Sequence, residues 1–481
     1  MESASRAQLS MVKFNLNGEI YDMNYGKCWT AISKAFAVAA VTVGLAAGSF
    51  GAGSETVLHT FANRSDGSLP FGGLTIDAKG NLYGTTDLGG SGAFAEGTVF
   101  KLTPKASGGF TFQTIHTFLQ GEGDGGNPAG SVVLDAAGNI YGTTSNGQIG
   151  GCGIVYELSP TKSRTWKETI LHKFRGNKDG CNSSGFVIFD EAGNLFGATV
   201  SGGGGLNNTF CNNGCGTVFE LTKLANGTFT EKVIHRFTGE NEDGRNPLGG
   251  LVFDKSGNLW GTTQVGGHSH SSTCGGADVC GTVFELTPNV NGTWTESALF
   301  SFSDNSTGFN PVTNLVIDGE GNLYGTTVNG GPSLEGLVFK LTPDGSGKVT
   351  ESIVHDFGSD GCCKDGVHPF NGLTIDAAGN LYGAVQGGGG TTTVCTGGVV
   401  DTGCGIVYKL TPNANKTRWE ETILYAFFGQ SDGATPLDDH VAVDAKGNVF
   451  GSAASGGDFD VNTHCAGDLP GGCGVVFEVQ P

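Results

Sequence analysis

The stretch DAKGNLYGTT, residues 77–86, reads as a turn running into a short β-strand, and it does not stand alone. It returns as DAAGNIYGTT from Asp135, DEAGNLFGAT from Asp190, DKSGNLWGTT from Asp254, DGEGNLYGTT from Asp318, DAAGNLYGAV from Asp376 and DAKGNVFGSA from Asp444. Successive aspartates stand 55 to 68 residues apart. Seven copies at so even a spacing make the repeat the unit that folds.

Around the first copy, GGLTID is rich in β-formers and alternates, so it reads as strand A. AKGN is a turn in which Gly80 supplies positive φ and Asp77 takes backbone N–H groups. NLYGTT is strand B, a glycine-rich loop follows, GTVFKL is strand C, TPKASGG is a second turn and FTFQTIHTF is strand D. Each repeat is predicted to be a four-stranded antiparallel meander, and a radial array of such sheets is a β-propeller. The seventh copy finishes on GVVFEVQP, strand C, with no strand D after it. Near the other end ETVLHTF, residues 55–61, matches QTIHTF, ETILHKF, EKVIHRF and ESIVHDF. The expectation is an all-β, seven-bladed propeller over residues 54–481, monomeric, whose last blade is completed by residues 55–61 so that no edge stays open.

On GLTIDAAGNLYGTT, GTVFELTP and ETILHKF the chain resembles the GloVer-type tandem repeats of exported bacterial proteins, over essentially all of residues 54–481. The resemblance brings no catalytic residues with it. Many such proteins carry a C-terminal surface anchor; this sequence shows none, which points to release or periplasmic retention.

The formal charge is −20 and the sequence pI about 4.8. So acidic a surface repels phosphate backbones and anionic lipid, which argues against nucleic acid and membrane as partners. Glycine contributes 85 residues without a three-residue period, which excludes collagen. Lys27 and Lys34 precede the apolar run AFAVAAVTVGLAA, residues 35–47, and small residues follow. The run is short for a membrane span and suits a signal segment, so residues 1–53 read as signal peptide and leader, with Met23 an alternative start and an uncleaved anchor the competing reading.

Thirteen cysteines fit export. Cys28 precedes the apolar run; twelve remain, with no CxxC among them. Cys152, Cys215, Cys280, Cys404 and Cys473 all precede strand C. The expected disulfides are Cys211–Cys215, Cys274–Cys280, Cys395–Cys404 and Cys465–Cys473 within single loops, and Cys152–Cys181 between two loops of one face. Cys362 and Cys363 are left as an adjacent pair, joined to each other or reduced.

Strand alternation places the B–C and D–A loops on one face of the ring and the A–B and C–D turns on the other. The variable loops belong to the first, the usual home of binding. The DxxGN aspartates read as turn caps. Asp66, Asp124, Asp243, Asp365 and Asp432 each precede Gly in the D–A loops and read as loop-shaping residues that ring this face with negative charge. The strand D histidines, His59, His116, His172, His235 and His355, give way to Phe300 and Tyr425 in two blades, so they read as packing residues. Asp458, Asp460 and Asn462 have the spacing of the first three calcium-loop ligands, but Thr463 and Leu469 stand where Gly and Glu belong; an EF-hand is excluded and a weaker oxygen site for calcium stays open. His268 and His270 near Cys274 and Cys280 have zinc-ligand chemistry, against which the disulfide is the better reading. No cofactor is required by any motif. The expected function is an exported binding scaffold whose glycan, peptide or envelope ligand docks on the B–C/D–A face. The alternative is a propeller lyase or hydrolase working at the mouth of the central channel, which rests on analogy of fold.

Overall fold

Most letters of the repeated phrase have a physical task. In the computed structural model Asp77 Oδ1 accepts from the N–H groups of Lys79 (2.8 Å) and Asn81 (2.9 Å), while Oδ2 accepts from Asn81 Nδ2 (2.6 Å) and the Tyr83 hydroxyl (3.3 Å). Gly80 takes φ 78° at the tip of that turn. Leu82 is fully buried. Gly84 leaves room for a ring: a Cβ there would lie 2.6 Å from Phe100 Cζ. Thr85 Oγ1 donates to Gly130 O of the next repeat (3.1 Å), and Thr86 Oγ1 donates to Leu88 O of its own loop (3.1 Å). The motif therefore closes a turn, clears a packing site and ties one repeat to the next.

The described residues are 53–481 without 63–64, 93–94, 120–122, 148–150, 184, 205–210, 212–213, 241, 268–273, 275–279, 361–363, 391–402, 430, 438, 458–464 and 466–471. They form seven four-stranded antiparallel sheets, the blades of a propeller. Blade 1 consists of Thr75–Ile76 (strand A), Leu82–Thr86 (B), Ala95–Pro104 (C) and Phe110–Leu119 (D). Blades 2 to 6 follow at 133–173, 188–236, 252–301, 316–356 and 374–426. Blade 7 takes Ala442–Val443, Val449–Ala453 and Val475–Gln480 from the end of the chain and Ser54–Thr60 from its beginning. That closing strand runs antiparallel to Val475–Gln480 with Ser54 opposite Gln480 and Thr60 opposite Val475.

Strand A is shorter than its sequence suggests, two residues in each blade. The glycines ahead of it lie too close to neighbouring blades for a regular ladder. A Cβ on Gly73 would stand 2.8 Å from His440 N and Ser131 Oγ, and Gly372 donates its N–H to Asp439 O (2.7 Å). Backbone polar groups there are spent across the ring.

The core lies between blades. Seven hydrophobic clusters occupy the seven seams. In each seam the Phe that ends strand D meets the aromatic residue of the next blade's strand C, edge-on or tilted, at 5.1–5.4 Å: Phe61 with Phe100, Phe118 with Tyr156, Phe174 with Phe219, Phe237 with Phe284, Phe302 with Phe339, Phe357 with Tyr408 and Phe427 with Phe477. Such pairs add about 0.5–1.5 kcal/mol beyond the area they bury.

Strand D carries a β-bulge at Leu58, Ile115, Leu171, Ile234, Leu299, Val354 and Leu424. Its effect is geometric. Val155 and Tyr156 point to opposite faces of blade 2, and they pair with His172 and Ile170. Glu168 shares the face of Ile170, so the bulge at Leu171 sends Glu168 and His172 into opposite seams.

Candidate functional site

The two loop families meet. In every blade the D–A loop pairs antiparallel with that blade's B–C loop, through Ser68 with Leu88, Gly126 with Asn146, Cys181 with Ser201, Phe309 with Asn329, Val367 with Gly387 and Ala434 with Ser455, and through Gly244–Arg245 with Val265–Gly266 in blade 4. The same loop also grips the preceding blade. Leu69, Asn127, Asn182, Asn246, Asn310, His368 and Thr435 all stand at φ between 52° and 59°. Each donates its N–H to a carbonyl at the end of the B–C loop one blade back, as Asn127 does to Glu96 O (2.8 Å) and Thr435 to Cys404 O (3.0 Å). At three of the four asparagines the side chain adds a bond to the preceding B–C loop: Asn127 Nδ2 to Asp87 O (3.0 Å), Asn246 Nδ2 to Val200 O (3.1 Å), Asn310 Nδ2 to Gln264 O (3.3 Å). His368 Nδ1 reaches Val328 O (3.2 Å) in the same way. Each D–A loop is wedged between two B–C loops, with one left-handed residue per blade held in place by its surroundings.

The structure also brings together residues that look unrelated in sequence. The D–A aspartates cap their loops: the N–H groups of Ala62, Arg175, Thr238, Gly358 and Phe428 donate to Asp66, Asp179, Asp243, Asp365 and Asp432 at 2.7–3.1 Å, and that of Leu119 to Asp124 at 3.2 Å. The second partner of each carboxylate is the strand D residue before it. His59, His116, His172, His235 and His355 place Nε2 3.2, 3.7, 3.3, 3.3 and 3.9 Å from Asp66, Asp124, Asp179, Asp243 and Asp365, and the Tyr425 hydroxyl donates to Asp432 (3.0 Å). Phe300 has lost the polar group, and at its seam Thr307 replaces the aspartate and takes the Ser303 N–H (3.1 Å). The histidines do pack, as His59 stacked on Phe112 at 3.7 Å shows, but they pack beside a carboxylate.

Across the seam stands a third group, the glutamate four residues before the histidine position: Glu55, Glu168, Glu231, Glu296, Glu351 and Glu421, with Phe112 in blade 1. Oε1 of all six is shut off from solvent with no hydrogen-bond partner. Burial, then the neighbouring aspartates, pushes Glu55, Glu168, Glu296 and Glu351 up to about 7 and Glu421 up to about 8, and raises Glu231. Sequence reasoning missed these glutamates and Asp179. In a regular strand ExxxH lies on one face; only the bulge separates the two, and nothing in the residue types announces it.

Glu351 faces a seam without histidine, and its pKa is raised above the unfolded value of 4.5 by burial and by Asp304. The stabilisation tied to its protonated form is complete below pH 4.5 and is lost as pH rises through about 7. Glu351→Gln is expected to flatten that decline, with Tm above wild type at pH 8 and close to it at pH 4.5. Parallel melting curves for the two proteins across this range would refute it.

At the seam of blades 6 and 7, where Tyr425 replaces histidine, a cleft of about 290 Å³ is lined by Glu55, Val57, Thr60, Ser431 and Asp432. On the axis, the start of strand A in blade 7 reaches over its neighbours: Ser131 donates N–H (2.6 Å) and Oγ–H (3.0 Å) to Asp439 Oδ2, and Phe186 meets the His440 ring edge-on at 5.8 Å. Burial drives Asp439 up to about 6 and His440 down to about 4.

The structure joins Cys152 to Cys181, Cys211 to Cys215, Cys274 to Cys280 and Cys465 to Cys473, and Cys404 is disulfide-bonded. Cys362, Cys363, Cys395, His268, His270 and the calcium-like Asp458, Asp460 and Asn462 lie outside the described residues.

The Gloeobacter/Verrucomicrobia repeat model matches residues 48–274 and 271–396. The chain belongs to the Gloeobacter/Verrucomicrobia repeat family. No protein of curated function matches it. Among solved structures, a luciferin-regenerating enzyme is similar at 12% identity, covering 89% of this chain and 96% of its own, with a TM-score of 0.38. An ancestral GH74 enzyme has 11% identity over 85% of this chain and 51% of its own, with a TM-score of 0.48. A Mycobacterium tuberculosis puromycin-hydrolyzing peptidase has 10% identity over 83% and 52%, with a TM-score of 0.46. Likenesses this distant say nothing about chemistry.

Proposed function

We propose that this repeat protein is an exported binding scaffold whose ligand, a glycan, peptide or envelope component, docks on the face shared by the B–C and D–A loops. The observation that carries the reading is the wedging of every D–A loop between two B–C loops. It makes one braced ring from the segments with the most varied sequence, while the opposite face repeats tight turns closed on their own aspartates. Export is supported by the apolar run at residues 35–47 and by the disulfides, which persist in an oxidising compartment. No helix among the described residues is long and apolar enough to cross a membrane.

Purified protein lacking residues 1–53 is expected to retain one class of ligand on glycan and peptide arrays, and loop-face substitutions such as Phe370→Ala, whose ring is 39% exposed, are expected to weaken retention without lowering Tm. Turnover of a polysaccharide or peptide abolished by Asp439→Asn would replace this reading with the channel-mouth enzyme.

A further inference from the structure

Two of the seams hold more than a cap. Between blades 1 and 2, His116, Asp124 and Glu168 each offer one ligand atom, and all three atoms lie within 4.8 Å of one another; His235, Asp243 and Glu296 do the same between blades 3 and 4. The arrangement is unsatisfied as protein alone. Glu168 Oε1, His116 Nε2 and Glu296 Oε1 are enclosed and have no hydrogen-bond partner, and His116 Nε2 stands 3.7 Å from Asp124, too far for a hydrogen bond. Two carboxylates face each other at each site with an imidazole between them, and a buried carboxylate without a partner is costly. Lys173, the lysine that acts on Glu168, gives its ammonium to Gly123 O (2.7 Å). One imidazole nitrogen and two carboxylate oxygens are a donor set for a first-row divalent cation. With His116 Nε2 3.7 Å from Asp124, His235 Nε2 3.3 Å from Asp243 and each glutamate oxygen within 4.8 Å of both partners, a small closing of the glutamate side chain brings all three atoms to about 2.0–2.2 Å from one ion.

We propose that the seams of blades 1–2 and 3–4 are divalent metal sites of the zinc or manganese class, ligated by His116, Asp124 and Glu168 and by His235, Asp243 and Glu296. Each ion bridges two blades, since the histidine and glutamate come from neighbouring sheets and the aspartate from the loop between them. The sites follow from the strand D bulge, which turns histidine and glutamate of one strand into opposite seams. Three other seams lack a ligand, since Phe112 replaces the glutamate opposite His59 and Phe300 and Tyr425 replace the histidine at two more. The seams of blades 2–3 (His172, Asp179, Glu231) and 5–6 (His355, Asp365, Glu421) keep all three residue types but do not bring one atom of each within 4.8 Å of one another.

The test uses the disulfide-intact chain without residues 1–53, stripped with chelator and titrated calorimetrically with Zn²⁺, Mn²⁺ and Ca²⁺. Two Zn²⁺ or Mn²⁺ per chain are expected, with a Tm that climbs with free metal. His116→Phe/His235→Phe copies the Phe300 seam and so keeps a packing the protein already uses; it is expected to lose both ions, with affinity down at least about 100-fold. Glu168→Gln/Glu296→Gln, nearly isosteric, is a second variant with the same expectation. Metal uptake unchanged in both variants would move the sites to the histidines of the B–C loop and overturn the proposal. No uptake of any of the three ions, with Glu→Gln simply raising stability, would show that protons alone satisfy these seams.

Discussion

Removing residues 54–61 is expected to abolish the single cooperative unfolding transition and leave an aggregating chain. The strand Ser54–Thr60 supplies the whole outer ladder of blade 7, paired with Val475–Gln480 along its length except at the Leu58 bulge. Its loss uncovers the edge of a strand whose apolar side chains are buried, a template for pairing with other chains. It also takes Phe61 from Phe100 and Leu58 from the cluster joining blades 7 and 1, and Glu55 and His59 from two seams. A fully buried Phe alone is worth about 3–5 kcal/mol when truncated, and the total stability of a domain is only about 5–15 kcal/mol. Calorimetry with light scattering reads the outcome. Attaching residues 54–61 after Pro481 through a short glycine linker is expected to restore the transition, because the ladder requires the strand and not its place in the chain. Melting unchanged by the deletion would sink the shared blade.

How far the sequence carried this structure depended on the range of each interaction. The DxxGN turn was legible because its partners lie within six residues, Asp77 with Lys79, Asn81 and Tyr83. The blade count and the closure were legible because repetition does not depend on knowing any contact. The loop-shaping role of Asp66, Asp124, Asp243, Asp365 and Asp432 was also readable from local chemistry. The histidines were read as packing residues because Phe300 and Tyr425 replace them, yet the replacements themselves follow the carboxylate: Tyr425 keeps a hydrogen bond to Asp432, and Phe300 occurs where Thr307 has replaced the aspartate. Glu168 and its equivalents stayed hidden because their side chains meet the preceding blade, at a register that a one-residue bulge sets. Strand A was overestimated for a similar reason: GGLTID has the composition of a strand, but the close approach of Gly73 to His440 belongs to the whole ring.

A sign reversal at Gly325 tests the packing rule that the repeated glycine encodes. Gly325 does not have positive φ, so alanine fits its backbone, and by chain entropy alone Gly325→Ala would stabilise by about 0.4–1 kcal/mol. The space is taken: a Cβ would lie 2.6 Å from Phe339 Cζ and 2.8 Å from Leu315 Cδ2. Phe339 is fully buried and pinned edge-on by Phe302 of the preceding blade at 5.2 Å, so the ring has no free direction in which to move. Overpacking of this kind costs about 1–3 kcal/mol, which exceeds the entropic gain, so Gly325→Ala is expected to be destabilising. Phe339→Ala is expected to cost about 3–5 kcal/mol by leaving a cavity. In that background the obstacle is gone, and Gly325→Ala becomes stabilising, with a coupling of about 1–3 kcal/mol between the two positions. Urea unfolding of the four proteins measures the cycle. If Gly325→Ala has the same effect with and without the Phe339 ring, the glycine is kept for some reason other than the aromatic ring it faces.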